Sequence, residues 1–382
     1  MSFQNLLIEH KDRIQYIIIN RESRLNALNK DTLAELHTAL SDAFCNSAVD
    51  GIIITGAGQK AFVAGADIRQ VALNVMHDKH GVAIDHLFTD YNEMLKTVGD
   101  DIDAISVCTP NGVHAEAAIA AANAGKDILC EKPIAMNPTE AQKMADAVHS
   151  NGVKFVMGFQ HRYEPRSKYV RDLIEQGALG KIMYVRAQAL RRRGIPNWGV
   201  FGRKELQGGG PMIDIGVHIL DTAHSLIGNP KPITATGNTW TWMGNKPSEV
   251  KSQWPNWDHE TYTVEDLAAG MIRFDNGTIL TLESSFCNHI EEDVFDIQIM
   301  GEKGGVIWSS SDTYTDWEGY MINAKPAYYP KWDMWEYKIR HFVEVVRDGR
   351  TNECPVEHGV MVQKMLSGIY ASAEQGKEVS IA

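Results

Sequence analysis

The sequence is short of cysteine, with five in 382 residues: Cys45, Cys108, Cys130, Cys287 and Cys354. Their number is odd, their spacing is scattered and none forms a CxxC pair, which argues against a disulfide framework and against a zinc site. Long hydrophobic runs are missing as well. No apolar stretch approaches the ~20 residues that cross a bilayer, and the opening residues, MSFQNLLIEHKDR, lack the apolar core of a signal peptide. Extended basic runs are absent, and 37 Lys and Arg against 49 Asp and Glu leave a net charge of −12. Such a chain is a poor candidate for nucleic acid or an anionic membrane. Together these absences point to a reducing cytoplasm. What remains is an ordinary globular composition, 44% hydrophobic and 23% charged, long enough for two or three domains. Nine tryptophans are present, most of them between Trp240 and Trp332, and core and interface packing account for most of these.

The most informative stretch is residues 104–158. Three short apolar runs, 104–108, 127–130 and 154–157, alternate with two segments of helical period. The first segment, 113–123, is Ala-rich and stops before Gly125, a C-terminal cap. The second opens on Asn137, Pro138 and Glu140, which are strong start signals, and closes at Asn151-Gly152. Strand, helix, strand, helix, strand with short links predicts a parallel sheet with right-handed crossovers. In such sheets ligands sit beyond the carboxyl ends of the strands. Thr109-Pro110-Asn111 and Glu131-Lys132-Pro133 occupy those ends.

These residues carry a resemblance. CTPNGVHAEAAIAAANAGKDILCEKP is similar to the glucose–fructose oxidoreductase / inositol dehydrogenase (Gfo/Idh/MocA) family, and the similarity runs over about 71–382. It implies an α/β fold: an incomplete Rossmann-like parallel sheet, then an α+β domain with a large open antiparallel sheet. It also implies NAD or NADP as cofactor, a sugar or polyol substrate and a homo-oligomer, dimer or tetramer. On this resemblance Thr109, Pro110, Asn111, His114, Glu131, Lys132 and Arg162 are expected at the cofactor. Lys132, Asp214, His218 and Trp198 are expected at the substrate, and the first three are the expected catalytic group.

Further on, Gly208, Gly209 and Gly210 lead into PMIDIGVHILDTAHSLIG, which reads as one helix from Pro211 to a cap at Gly228. Asp214 and His218 are four apart and share a face, with Asp221 on it too. Alone, that face is open to three readings: a polar helix surface, a metal site or an acid/base group. Beside EKP, the order GGG…DxGxH…D resembles the family's second signature, and no metal is expected. A histidine poised near neutral pH suits removal of a hydroxyl proton. A lysine at a strand's carboxyl end holds the alcohol oxygen and steadies developing alkoxide charge. The aspartate orients the imidazole or the substrate. Arg191, Arg192 and Arg193 read as a solvated loop, which in this family borders the substrate cleft. Beyond residue 230, strand-like runs alternate with turns, with hairpins at Asn276-Gly277 and 301–305. Two late helices, 335–347 and 356–375, pack back.

Residues 1–70 read differently. LIEHKDRIQYIIINR predicts two strands around a turn at 11–13. NALNKDTLAELHTALSDAF predicts a helix capped by Asn29 or Asp31, with apolar residues at 33, 36, 40 and 44, and 51–55 reads as a buried strand. NALN, ITGAG and KAFVAGADI resemble the N-terminus of enoyl-CoA hydratase-like (crotonase) proteins. That implies a ββαβ segment with the amide of Ala66 as an oxyanion-hole donor. The second donor and the catalytic glutamates of that family have no counterpart downstream, so hydratase chemistry is not expected. Gly56-Ala57-Gly58-Gln59-Lys60-Ala61 fits GxGxxG/A, yet Phe62 and Val63 do not open a helix, and no strand ends in an acid ~20 positions on. The chain therefore reads as a chimera: 1–70 crotonase-like, 71–158 a partial dinucleotide-binding domain, 159–382 a substrate and oligomerisation domain. The expected function is NAD(P)-dependent oxidation of a secondary alcohol of a sugar or polyol, impaired by the missing glycine-rich phosphate loop. The alternatives are an acyl-CoA-binding fragment and a non-catalytic chimera.

Overall fold

Alternation of Leu, Ile and polar residues makes the first two strands, β1 (Leu6–Lys11) and β2 (Ile14–Ile19), an antiparallel pair. They turn at Asp12, whose φ is 56°. Asn29 then caps α1 (Lys30–Cys45) by accepting from the Thr32 amide, and β3 (Gly51–Gly56) joins β2 in parallel. This is the expected ββαβ order, seen in a computed structural model that describes residues 3–24, 26–58 and 88–381. Its core is Leu6, Ile17, Ile19 and Ala39, with Leu36 and Leu40 packed against it. Two expectations fail here. Leu33 and Phe44 are 53% and 79% exposed, because the buried stripe of α1 runs through Thr32, Ala39 and Ala43 instead. The strand at 51–55 is not buried: among the described residues β3 is an edge strand, with Ile53 and Ile54 at 41% and 39% exposure. Ala66, the KAFVAGADI motif beyond Gly58 and the expected helix tail at 71–79 lie outside the described residues.

The chain divides into two units, Met1–Met94 and Leu95–Ala382, with the boundary inside α2 (Tyr91–Val98). In the second unit, β4 (Ala104–Val107), α3 (His114–Asn123), β5 (Asp127–Cys130), α4 (Pro138–Asn151) and β6 (Phe155–Met157) follow the expected order. The strands are parallel, with Val107 opposite Cys130 and Cys130 opposite Met157. The capping signals act as read: Gly125 and Gly152 have φ of 71° and 64°, and Asn137 accepts from the Glu140 amide. Buried Ala115, Ala118, Ala121 and Ala122 let α3 lie close on α4. Among the described residues β4 pairs with β5 alone.

The rest of the unit runs α5 (Pro165–Glu175), β7 (Ile182–Leu190), α6 (Lys204–Gln207), α7 (Val217–Leu226), β8 (Pro232–Trp240), β9 (Leu267–Phe274), β10 (Ile279–Ser285), β11 (Val294–Gly301), β12 (Gly304–Ile307), β13 (Asp312–Trp317), β14 (Tyr320–Ala324), α8 (Met334–Asp348), α9 (Val356–Gln375) and β15 (Val379–Ser380). The strands from β7 onward form one nine-stranded sheet, ordered β14-β13-β12-β11-β7-β10-β9-β8-β15, antiparallel except for β7 with β10. Hairpins fall at Asn276-Gly277 and between β11 and β12, as expected. α9 packs on β8 and β9 at two glycines: a Cβ on Gly237 or Gly270 would come within 2.8 or 2.7 Å of Ile369. Among the described residues no helix is long and apolar enough to cross a membrane.

Candidate active site

Lys132 follows the buried end of β5, and the peptide it makes with Pro133 is cis. Its ammonium crosses to the DIGVH segment and donates to the Asp214 carbonyl at 2.8 Å and to the Asp214 carboxylate at 3.2 Å. Both side chains are largely sequestered, 20% and 16% exposed.

The segment Lys132 reaches is not the single α-helix expected. Met212–Gly216 is a π-helical turn, and α7 begins only at Val217. The cause lies in groups from elsewhere. The buried Glu265 carboxylate accepts from the Gly210 and Met212 amides at 3.0 and 3.2 Å, and the Tyr370 hydroxyl donates to it at 2.7 Å. Ser284 donates its hydroxyl to the Pro211 carbonyl at 2.8 Å. Backbone groups of the first turn are thus held by side chains, and the turn widens. Gly216 packs closely on Ser284: a Cβ there would sit 3.1 Å from its Oγ.

With the widened turn, Asp214 and Asp221 do not work together. Asp221 is buried and binds Arg162 through two contacts, at 2.8 and 2.5 Å. Arg162 also donates to the Glu353 carbonyl at 3.0 Å and meets His358 Nδ1 at 2.9 Å. Burial works against the guanidinium charge, but Asp221 beside it raises the Arg162 pKa. Arg162, expected at the cofactor, is therefore a buried tie between the turn after β6 and α7, with 3% of its surface exposed.

His218 stands edge-to-face against His161, ring centroids 5.2 Å apart. Its Nδ1 is buried with no hydrogen-bond partner among the described residues. Burial first, then the positive fields of Lys132, His161, Lys338 and Arg191, push its pKa well below the ordinary histidine value, so the ring is neutral. Asp214 contacts Lys132 rather than this imidazole, so of the two orienting roles expected of it the one toward the imidazole is not seen.

The cofactor-side residues divide. Thr109 and Pro110 are exposed at the end of β4, and Asn111 donates its side-chain amide to the Gln207 carbonyl at 3.2 Å. His114 is 1% exposed, its ring spanning the Pro133 and Thr109 carbonyls at 2.7 Å each, so it braces the two loops from beneath. Glu131 is held by the ammonium of buried Lys338. Trp198 is 49% exposed and lies edge-to-face on Trp254, centroids 4.7 Å apart. The residues present suit the nicotinamide end of a dinucleotide: two neighbouring parallel strands end side by side, with Thr109 and Pro110 exposed at the tip of one and Lys132 at the tip of the other. Among the described residues no cluster suited to a metal ion occurs.

Glu265, Ser284, Lys338 and His161 belong to none of the motifs read from the sequence. Arg191 lies in the arginine run, but what its side chain packs on, Trp254 and Phe286, comes from distant parts of the chain.

Residues 60–159 match the oxidoreductase family with an NAD-binding Rossmann fold, and residues 167–307 match the GFO/IDH/MocA C-terminal domain. The D-glucoside 3-dehydrogenase of Escherichia coli (strain K12) is 34% identical over 346 residues, covering 86% of this chain and 97% of that protein. The chain belongs to the Gfo/Idh/MocA oxidoreductase family. A second relative, the levoglucosan dehydrogenase of Pseudarthrobacter phenanthrenivorans, is 31% identical over 217 residues, covering 55% of this chain and 56% of that protein. A solved levoglucosan dehydrogenase, in complex with NADH and levoglucosan, shares the fold with a TM-score of 0.69 at 24% identity, over 84% of this chain and 91% of that one. Residues 9–98 also match enoyl-CoA hydratase/isomerase, so the two resemblances overlap at 60–98. Because the match to the D-glucoside 3-dehydrogenase reaches 97% of its length, it lends no support to the expectation that the front of the nucleotide domain has no counterpart here.

Proposed function

We propose that this Gfo/Idh/MocA chain oxidises a secondary hydroxyl of a sugar, using NAD. The observation that carries the reading is the contact of Lys132 with Asp214 beside a neutral His218, at the carboxyl end of a parallel strand. Bound at the tips of β4 and β5, the nicotinamide supplies the hydride acceptor. His218 takes the hydroxyl proton at Nε2, the nitrogen opposite its buried Nδ1. Lys132 donates to the alcohol oxygen and steadies the negative charge that develops there. Asp214 holds the lysine in place through its carbonyl and carboxylate. Thr109 and Pro110, exposed at the end of β4, would help hold the nicotinamide.

D-glucosides, levoglucosan and polyols are the substrates to test, since the relatives named above act on sugars of this kind. The purified chain is incubated with each and with NAD or NADP, and NADH formation is followed. Lys132→Ala and His218→Ala should each lower kcat by about 10²–10⁴-fold, since charge stabilisation and proton removal belong to the same step. Absence of sugar oxidation together with turnover of crotonyl-CoA would overturn the reading in favour of the hydratase-like one.

A further inference from the structure

We infer that Arg191 is a substrate-binding residue whose guanidinium reads two neighbouring hydroxyls of the sugar, away from the carbon that is oxidised. The inference rests on the sugar-dehydrogenase reading above.

Arg191 follows the last residue of β7 and is fixed to β10 at both backbone groups. Its amide donates to the Ser285 carbonyl at 2.9 Å, and its carbonyl accepts from the Ser285 hydroxyl at 3.2 Å. The guanidinium carbon lies 4.9 Å from the centroid of Trp254 and 5.4 Å from that of Phe286. Gly194 makes the room, since a Cβ there would come within 2.6 Å of the Arg191 Cδ. Position and plane of the fork are thus set by packing.

Its hydrogen bonds are not used up. A guanidinium has five N–H donors, and one, on Nη1, donates to the Gly194 carbonyl at 3.0 Å. Among the described residues, no further acceptor and no carboxylate lies within bonding reach of the side chain. Other sequestered arginines differ: Arg162 has Asp221, Arg166 has Glu164, and Arg350 has Glu344 and Glu353. A half-buried cation held between two aromatic rings with most donors unspent is a recognition element. It is also close to the chemistry. Its backbone is bonded to Ser285, and neighbouring Ser284 donates to the Pro211 carbonyl at the start of the turn that bears Asp214. A planar fork presents paired donors, and the matching group on a neutral sugar is a vicinal pair of hydroxyls.

The test uses the full chain with saturating NAD and a D-glucoside. Arg191→Met keeps length and stacking but removes the fork. Its KM should rise about 10–100-fold while kcat stays within a few-fold. In a series of deoxy-glucosides, the wild type should lose the same factor when a hydroxyl read by Arg191 is missing, and Arg191→Met should lose nothing more on that sugar. Arg191→Lys keeps the charge without the fork and should resemble Arg191→Met. Thermal melting and NADH titration should match the wild type in both variants, and if one variant fails to fold, the other decides. An unchanged KM in a folded variant, or losses that simply add for every deoxy sugar, overturns the assignment. A wild type that oxidises no sugar overturns the sugar-dehydrogenase reading itself, and the assignment falls with it.

Discussion

His218 serves as a base only while its ring is neutral, and its neighbours keep it so. Burial and four cationic or ionisable groups all act in one direction, placing its pKa well below 6.5. The competent form therefore persists as the solution is acidified. On a sugar substrate, kcat/KM should stay level from neutral pH down past 6.5 and fall only below it; an acid limb centred at or above 6.5 would contradict this reading. Some of the chemistry could be read from the sequence. Lys132, Asp214 and His218 were legible because EKP and DIGVH carry them in fixed local order. Arg162 was not, because its partner Asp221 lies on another element and nothing near position 162 announces it. Arg191 looked like part of a solvated run for the same reason: Trp254 and Phe286, which cover it, come from later loops.

The caps and hairpins show which parts of an element its own sequence decides. Asn137, Gly125, Gly152 and Asn276-Gly277 act within a few residues of where they stand, and each marks the boundary expected of it. The π-helical turn at Met212–Gly216 is different. Glu265 and Ser284 produce it from distant parts of the chain, so the sequence around Asp214 reads as plain α-helix. Gly216→Ala tests this origin. The added methyl would lie 3.1 Å from Ser284 Oγ and 3.2 Å from its Cβ, which should cost about 1–3 kcal/mol in denaturant unfolding. It should also displace Asp214 from Lys132 and lower kcat. Unchanged unfolding and turnover in Gly216→Ala would show that Ser284 does not set the turn.

The molecule as a whole should be sensitive to acid. His218 is joined by other buried histidines whose pKa values are depressed. Burial takes His224 down to about 4 against an opposing bond to the Pro230 carbonyl, and burial with Arg162 beside it takes His358 down to about 3. In the unfolded chain these rings take protons near 6.5. Their depressed folded values mean that stability is full above that pH and is lost as pH falls from there toward 4 and 3. The loss is roughly 1 kcal/mol per pH unit for each proton taken up. Melting temperature should fall steadily between pH 6.5 and 4, and a flat profile there would count against these buried neutral rings. The two sheets of the second unit were legible, since alternation and turns recur along the chain. The exposed faces of α1 and β3 were not, because burial depends on what lies against an element. One contact also bears on how the protein is made. Tyr370, on α9, secures the carboxylate that shapes the turn bearing Asp214. During synthesis every reacting group leaves the ribosome before α9 does. A nascent chain stopped short of α9 would hold the lysine, the aspartate and the histidine, yet the clasp that sets their spacing would still be missing.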